Sequence, residues 1–190
     1  MDRLRNSQIL SYQDKLFNVE TQEHVENVSH MCVFIARKFD FTEEEIYDLS
    51  IISRFHDIGK IKIPLEILER NGPLTDEEWD LVKQHPILGR DILRNFGFKD
   101  EDTAVVHQHH EKCDGSGYPF GLTRNEIRFE AKILGVVDVM DALLSDRAYK
   151  RGWEVERVRK FFEKNEEGFC PEVVKVILEN FEELINLRVY

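Results

Sequence analysis

Residues 41–60 read FTEEEIYDLSIISRFHDIGK, and the fold follows from this stretch. Thr42, followed three residues later by Glu45, forms a capping box. The Thr oxygen and the Glu carboxylate reciprocally satisfy backbone N–H groups that a helix start leaves free. Ile46, Leu49, Ile52 and Phe55 then recur at helical spacing, the mark of one buried stripe. The helix ends by delivering His56 and Asp57 just before Gly59. Burying two such polar groups is costly unless each finds a partner, so the pair is either hydrogen-bonded locally or held by a metal.

Two more Thr-x-x-Glu boxes, Thr75/Glu78 and Thr123/Glu126, predict helix starts. From Thr75 one amphipathic helix is expected through Trp79, Val82, His85, Ile87 and Leu88 to about Gly97. Upstream, Val25, Val28, Cys32, Ile35 and Ala36 make residues 21–39 helical. Downstream, residues 100–110 carry Val105 and Val106 and end in His109-His110-Glu111. Residues 113–122 hold three Gly and one Pro and read as a loop. Residues 129–144 form a helix with Asp138 and Asp141 on one face, and residues 155–187 form two helices broken at Gly168 and Pro171. No stretch alternates convincingly with period two, so the fold class is all-α.

At 190 residues and 42% hydrophobic, the chain is expected to form one domain over 1–190, with a core of about 20–152 and C-terminal helices over 153–190. Nothing approaches the ~18–20 apolar residues of a membrane span, and MDRLRNSQIL is too polar for a secretory signal. Cys32, Cys113 and Cys170 are far apart and form no CxxC. That argues against a disulfide framework or a thiolate zinc site, and for a reducing, cytoplasmic setting. No receiver or sensory segment is read. The net charge of −11 disfavours a nucleic acid polymer as partner. Residues 109–151, however, carry seven basic and seven acidic side chains. Dications bound there would make this part positive and admit an anionic substrate.

The side chains that matter most are Glu20, His24, His56, Asp57, His85, His109, His110 and Asp138. Taken singly, each has an ordinary reading: a solvated acid, a surface histidine, a capping carboxylate. Together they predict a multinuclear metal hydrolase. Imidazole and carboxylate without thiolate suit Fe or Mn and, less well, Zn. Adjacent helical residues point roughly 100° apart, so each pair can serve two neighbouring ions. Glu20 and His24 lie one turn apart and can face one ion. A phosphodiester repels hydroxide, and paired ions answer that by neutralising it and supplying a nucleophile near pH 7. His30 and His107 fall outside the pattern and receive no role.

His56-Asp57-Ile58-Gly59-Lys60 resembles the signature of the HD metal-dependent phosphohydrolase superfamily. Lys60-Ile61-Lys62-Ile63-Pro64, His85-Pro86-Ile87-Leu88-Gly89, the run from His109 through Gly117-Tyr118-Pro119 to Leu122, Asp138-Val139-Met140-Asp141 and Asp146-Arg147-Ala148-Tyr149-Lys150 narrow it. From about Glu20 to Pro171 the chain is similar to the HD-GYP subfamily. The resemblance implies an HD-domain helical bundle with additional C-terminal helices. It also implies hydrolysis of cyclic di-GMP to pGpG, GMP or both, at two or three divalent ions, Fe or Mn. It makes His24, His56, Asp57, His85, His109, His110 and Asp138 metal ligands, with Asp57 bridging and Glu20 the extra carboxylate of three-metal members. Asp57 or Lys60 is the candidate for the proton traffic, and the resemblance implies that Tyr118 helps shape the pocket and that Arg147 and Lys150 contact base and phosphate. The alternatives are another cyclic dinucleotide or nucleotide as substrate, or a catalytically silent cyclic-dinucleotide receptor. A homodimer or a regulatory partner is compatible with either. Two positions depart from the family pattern: Asn27, where Arg is usual, and Cys170, where Asp is common.

Overall fold

A computed structural model of the chain describes residues 12, 14–146, 151–164 and 168–189. Helix α1 (Gln22–Ala36) starts at Thr21, whose hydroxyl accepts the His24 N–H at 3.1 Å. Helix α2 (Glu43–Arg54) starts on the Thr42/Glu45 box, with both halves made. Phe55 caps α2, and a 3₁₀ turn follows at Ile58–Lys62. Then come α3 (Leu65–Leu68), α4 (Asp76–Val82), α5 (His85–Asn95), α6 (Asp100–Gln108), α7 (Phe129–Leu144), α8 (Val155–Lys164), α9 (Pro171–Glu179) and α10 (Phe181–Asn186). Among the described residues there is no strand, and Asp114 and Thr123 form an isolated bridge. None of the described helices is long and apolar enough to cross a membrane.

Burial explains the layout. Helix α1 packs on α2 and on α7, and α6 packs on α5 and α7. Val25, Val28, Met31 and Ile35 of α1 meet Ile46, Leu49 and Ile52 of α2 and Ile133, Val137 and Met140 of α7 in one core. The 3₁₀ turn rests against α5, while α8 and α9 cover α7. The class is all-α, as the hydrophobic period predicts.

Three local expectations differ from what is found. The helix expected from Thr75 to Gly97 is two helices, α4 and α5. Pro86 is the cause: it has no N–H for the Val82 carbonyl and fits only the first turn of a new helix. The Thr123/Glu126 box starts no helix. The Glu126 carboxylate accepts both the Thr123 N–H at 2.9 Å and its hydroxyl at 2.6 Å. The Glu126 N–H bonds the Thr123 carbonyl rather than its hydroxyl, so that half of the box is not made, and the helix begins only at Phe129. After Pro171 there are two helices, because Asn180 leaves helical geometry at φ −119° and its side-chain amide donates to the Val176 carbonyl at 2.8 Å.

The contact between the 3₁₀ turn and α5 depends on Gly59. A Cβ there would stand 1.9 Å from the His85 carbonyl oxygen and 2.7 Å from the Gly89 nitrogen, both of them backbone atoms. Gly59→Ala is expected to cost about 1–3 kcal/mol by overpacking, and at roughly 2–4 °C per kcal/mol to lower the melting temperature by several degrees. A circular-dichroism melt of the metal-free protein measures it; an unchanged midpoint would mean that the turn yields freely.

Candidate metal centre

Three histidines are built the same way. His56 Nδ1 donates to the Ser53 carbonyl at 2.7 Å, His85 Nδ1 to Val82 at 2.7 Å and His109 Nδ1 to Val106 at 2.5 Å. Each acceptor lies three residues back, at or near the end of a helix, where carbonyls outnumber amide donors. The Val82 carbonyl is the one that Pro86 leaves free. A carbonyl oxygen only accepts, so Nδ1 carries the hydrogen, and a neutral ring presents a lone pair at Nε2.

Those three Nε2 atoms surround Asp57. His85 and His109 stand 3.1 and 3.8 Å from its Oδ1, and His56 stands 3.3 Å from its Oδ2. His85 Nε2 and His109 Nε2 are 3.4 Å apart. On the other side, His24 Nε2 and His56 Nε2 lie 3.5 and 3.6 Å from Asp138 Oδ1. One donor atom each from Asp57, His85, His109 and His110 lies within 4.8 Å of the others. The same span holds for His24, His56 and Asp138, and for Glu20, His24 and Asp57. All eight candidate donors are therefore brought together, and the two oxygens of Asp57 face different groups.

This arrangement fits divalent ions. His56 Nε2 and Asp57 Oδ1 are buried without a hydrogen-bond partner, which a folded chain ordinarily avoids. Around Asp57 Oδ1 the nearest polar atoms are themselves lone-pair bearers, so only a cation or a captured proton relieves them. The donors are imidazole and carboxylate, hard enough for Fe, Mn or Zn.

Charge within the cluster is sharply sorted. Burial acts to raise the Asp57 carboxyl, but the Lys60 and His56 charges outweigh it and hold the group well below the usual carboxylate range. Lys60 Nζ donates to Asp57 Oδ2 at 2.5 Å and also to Glu20. Burial works against its charge, yet Asp57 and Glu20 more than compensate and raise it. Burial, with His85 next, pushes His110 down to about 3. Burial and the neighbouring imidazoles likewise hold His109 well below the ordinary value. His56 is the exception: burial opposes its charge, but Asp57 and Asp138 prevail and lift it well above.

The glycine-rich loop is tied to this cluster. Glu111 accepts the Phe120 N–H at 2.7 Å and the Leu122 N–H at 2.8 Å. Gly117 approaches so closely that a Cβ would lie 2.3 Å from the Lys112 nitrogen. Tyr118 consequently lies on His110 with ring centroids 4.7 Å apart, and partly exposed Trp79 stands edge-on to it at 6.0 Å. Burial raises the Tyr118 hydroxyl, keeping it a neutral donor. Arg147 and Lys150 lie outside the described residues.

The sequence reading missed Glu111 as the loop's anchor and Asp141 as the partner of His24, whose Nδ1 meets Asp141 Oδ2 at 2.8 Å. A signal for Asp141 existed: a second acid sharing a face with Asp138 on an otherwise apolar helix. At the departure Asn27, the side-chain amide donates to Asp141 Oδ1 at 3.1 Å, and Arg188 donates to the same oxygen at 2.9 Å. Cys170 caps nothing through its side chain; its thiol meets Glu172 at 3.0 Å. His107 sits off the site against Phe120, with burial and then Arg90 pushing it down to about 4, and His30 is exposed.

Residues 5–166 match the HD domain family. The chain is 35% identical over 161 residues to the cyclic di-GMP phosphodiesterase response regulator RpfG of Xanthomonas campestris, covering 83% of this chain and 43% of that protein. It is 34% identical over 172 residues to 3'3'-cGAMP-specific phosphodiesterase 2 of Vibrio cholerae, covering 89% of this chain and 33% of that one. The chain thus spans less than half the length of these two relatives. Its fold matches the structure of Bd1817, a HDG"Y"P protein from Bdellovibrio bacteriovorus, with a TM-score of 0.68 at 23% identity, over 84% of this chain and 51% of the other.

The raised His56 makes metal uptake pH-dependent. Without metal, Asp57 and Asp138 favour the protonated imidazole, whereas ligation needs the bare Nε2. Affinity for Mn²⁺ is therefore expected to rise with pH, by up to about tenfold per unit while pH stays below the raised value, with a proton released on binding. Calorimetric titrations at two pH values, each in buffers of different ionisation enthalpy, measure both. A flat affinity with buffer-independent heat would contradict it.

Proposed function

Because the chain belongs to the HD domain family, in its HD-GYP subfamily, we propose that it is a metal-dependent phosphodiesterase that hydrolyses cyclic di-GMP to pGpG, GMP or both. The observation that carries this reading is the convergence of three groups of imidazole and carboxylate donors on one buried cluster, in which Asp57 Oδ1 has no hydrogen-bond partner. In this proposal Asp57, His85, His109 and His110 would hold one ion, and His24, His56 and Asp138 would hold another. Glu20, with His24 and Asp57, supplies a place for a third. Fe or Mn suits this donor set. Bound ions of this kind neutralise a diester and bring the pKa of water towards about 7.

The remaining roles belong to the chain's own side chains. Lys60, kept charged by Asp57 and Glu20, holds a proton at Nζ and serves as donor to the departing sugar oxygen rather than as base. Tyr118 and Trp79 wall one side of the site with aromatic surface on which a base can stack. The roles of Arg147 and Lys150 as phosphate and base contacts are carried from the family resemblance alone. The three free thiols agree with a reducing, cytoplasmic setting.

Protein loaded anaerobically with Fe or Mn is expected to linearise cyclic di-GMP, followed by chromatography of the products. Asp57→Ala should lower the rate by at least about a hundredfold with helicity retained, since loss of outer-sphere partners alone typically costs about 10–100-fold. Because one similar protein is 3'3'-cGAMP-specific, that dinucleotide is the competing substrate. Binding of either without turnover, under every metal tried, would make the protein a receptor instead. Glu20→Ala is expected to reduce metal content towards two per chain; unchanged content would leave Glu20 as no more than a partner of Lys60.

A further inference from the structure

His24 differs from the other imidazoles of the centre in how it is aimed. It lies in the first turn of α1, where the backbone offers unpaired N–H groups rather than carbonyls. No local acceptor can therefore fix its Nδ1, and the acceptor comes from α7: Asp141 Oδ2, at 2.8 Å. Asp141 is fully buried, so its own orientation has to be fixed from elsewhere.

Four donors fix it. Oδ2 takes the His24 Nδ1–H and the Ser145 hydroxyl at 3.1 Å, while Oδ1 takes Asn27 Nδ2 at 3.1 Å and Arg188 Nε at 2.9 Å. Of these donors, Arg188 alone carries a permanent charge. Its guanidinium also donates to the Ser145 hydroxyl at 2.8 Å, so it braces both sides of the carboxylate. Asn27 is neutral and supplies no charge, but it seats the residue next to the one that does. Its Oδ1 accepts the Val189 N–H at 2.7 Å and its Nδ2 lies 3.4 Å from the Val189 carbonyl.

We infer that Arg188 is a positioning residue for the metal centre: seated by Asn27, it locks the Asp141 carboxylate and thereby holds the His24 ring with Nε2 towards Asp138. This rests on the proposed metal-dependent function but concerns a residue outside its ligand set. Without Arg188, Oδ1 keeps one neutral donor, the buried carboxylate loses its fixed countercharge, and both the acid and the ring it aims are free to turn.

The test is Mn²⁺ affinity of the full chain, measured by titration with metal content as a second reading. Arg188→Ala is expected to weaken binding by about 10–100-fold, the usual cost of removing an outer-sphere partner. Asn27→Arg placed in the Arg188→Ala protein returns a guanidinium within reach of Asp141 and is expected to restore most of the loss. A segment that merely packs against the core would change the melting temperature, and an arginine at position 27 would not rescue it. Unchanged affinity in Arg188→Ala, or a loss that Asn27→Arg fails to recover, overturns the inference. If Arg188→Ala does not fold, Asn27→Ala substitutes: unseating Val189 should cost affinity in the same direction, and wild-type affinity there also overturns it. Failure of the wild-type chain to bind Mn²⁺, Fe²⁺ or Zn²⁺ at all would instead strike the proposed function.

Discussion

The acceptors around Asp57 have nowhere else to turn. Three imidazoles have committed their Nδ1 hydrogens to carbonyls of their own helices, so wherever such a ring is neutral it presents electron density to the buried carboxylate. Such a cluster is repulsive as a set of neutral rings and one anion. The chain meets part of the difficulty with the Lys60 ammonium and the raised His56. Neither reaches Asp57 Oδ1, which stays without a hydrogen bond. The helices that end or begin here, α2, α5 and α6, are held by an apolar core strong enough to keep mutually repelling groups in contact.

Much of this was legible because it is local. The Thr42/Glu45 box and the stripe from Ile46 to Phe55 predict α2 and the place where it delivers His56 and Asp57; residues 129–144 are found as read. The break before His85 was readable in principle, since Pro86 sits one residue past it, but a favourable apolar period on both sides masked it. The Thr123 box could not be decided from spacing. A capping box starts a helix only where the third N–H reaches the threonine hydroxyl, and here the Glu126 N–H goes to the Thr123 carbonyl instead. Asp141 and Arg188 were out of reach for a different reason. Their contacts join positions 117 and 47 residues apart, and no periodicity encodes a pairing at that range.

The imidazoles of the centre are consequently aimed on two different principles. His56, His85 and His109 donate to carbonyls of their own helix ends, so these contacts form with the helices themselves. His24 finds its acceptor only where α1, α7 and the segment carrying Arg188 and Val189 come together. Three rings are preorganised by secondary structure, the fourth by tertiary structure. On the inference drawn above, a disturbance of the segment after α10 would reach His24 through Asp141, whereas the other three rings keep their local acceptors.

Charge closes the account of how an acidic chain can hold an anionic ligand. Within the centre, Glu20, Asp57, Asp138 and Asp141 face Lys60, Arg188 and a protonated His56, which leaves about one negative charge before metal arrives. In the proposed arrangement each divalent ion would add two positive charges, and the one beside His56 would displace its proton, a net gain of about one. The one beside His109 and His110 would displace no comparable proton, because burial holds those rings neutral. The site therefore passes from slightly negative to clearly positive within a few ångströms. At that range the remainder of the −11 formal charge, spread over the surface and screened beyond roughly 8–10 Å, counts for little. In the proposed function, the suppressed basicity of His109 and His110 is what would let metal turn an acid-rich cluster positive.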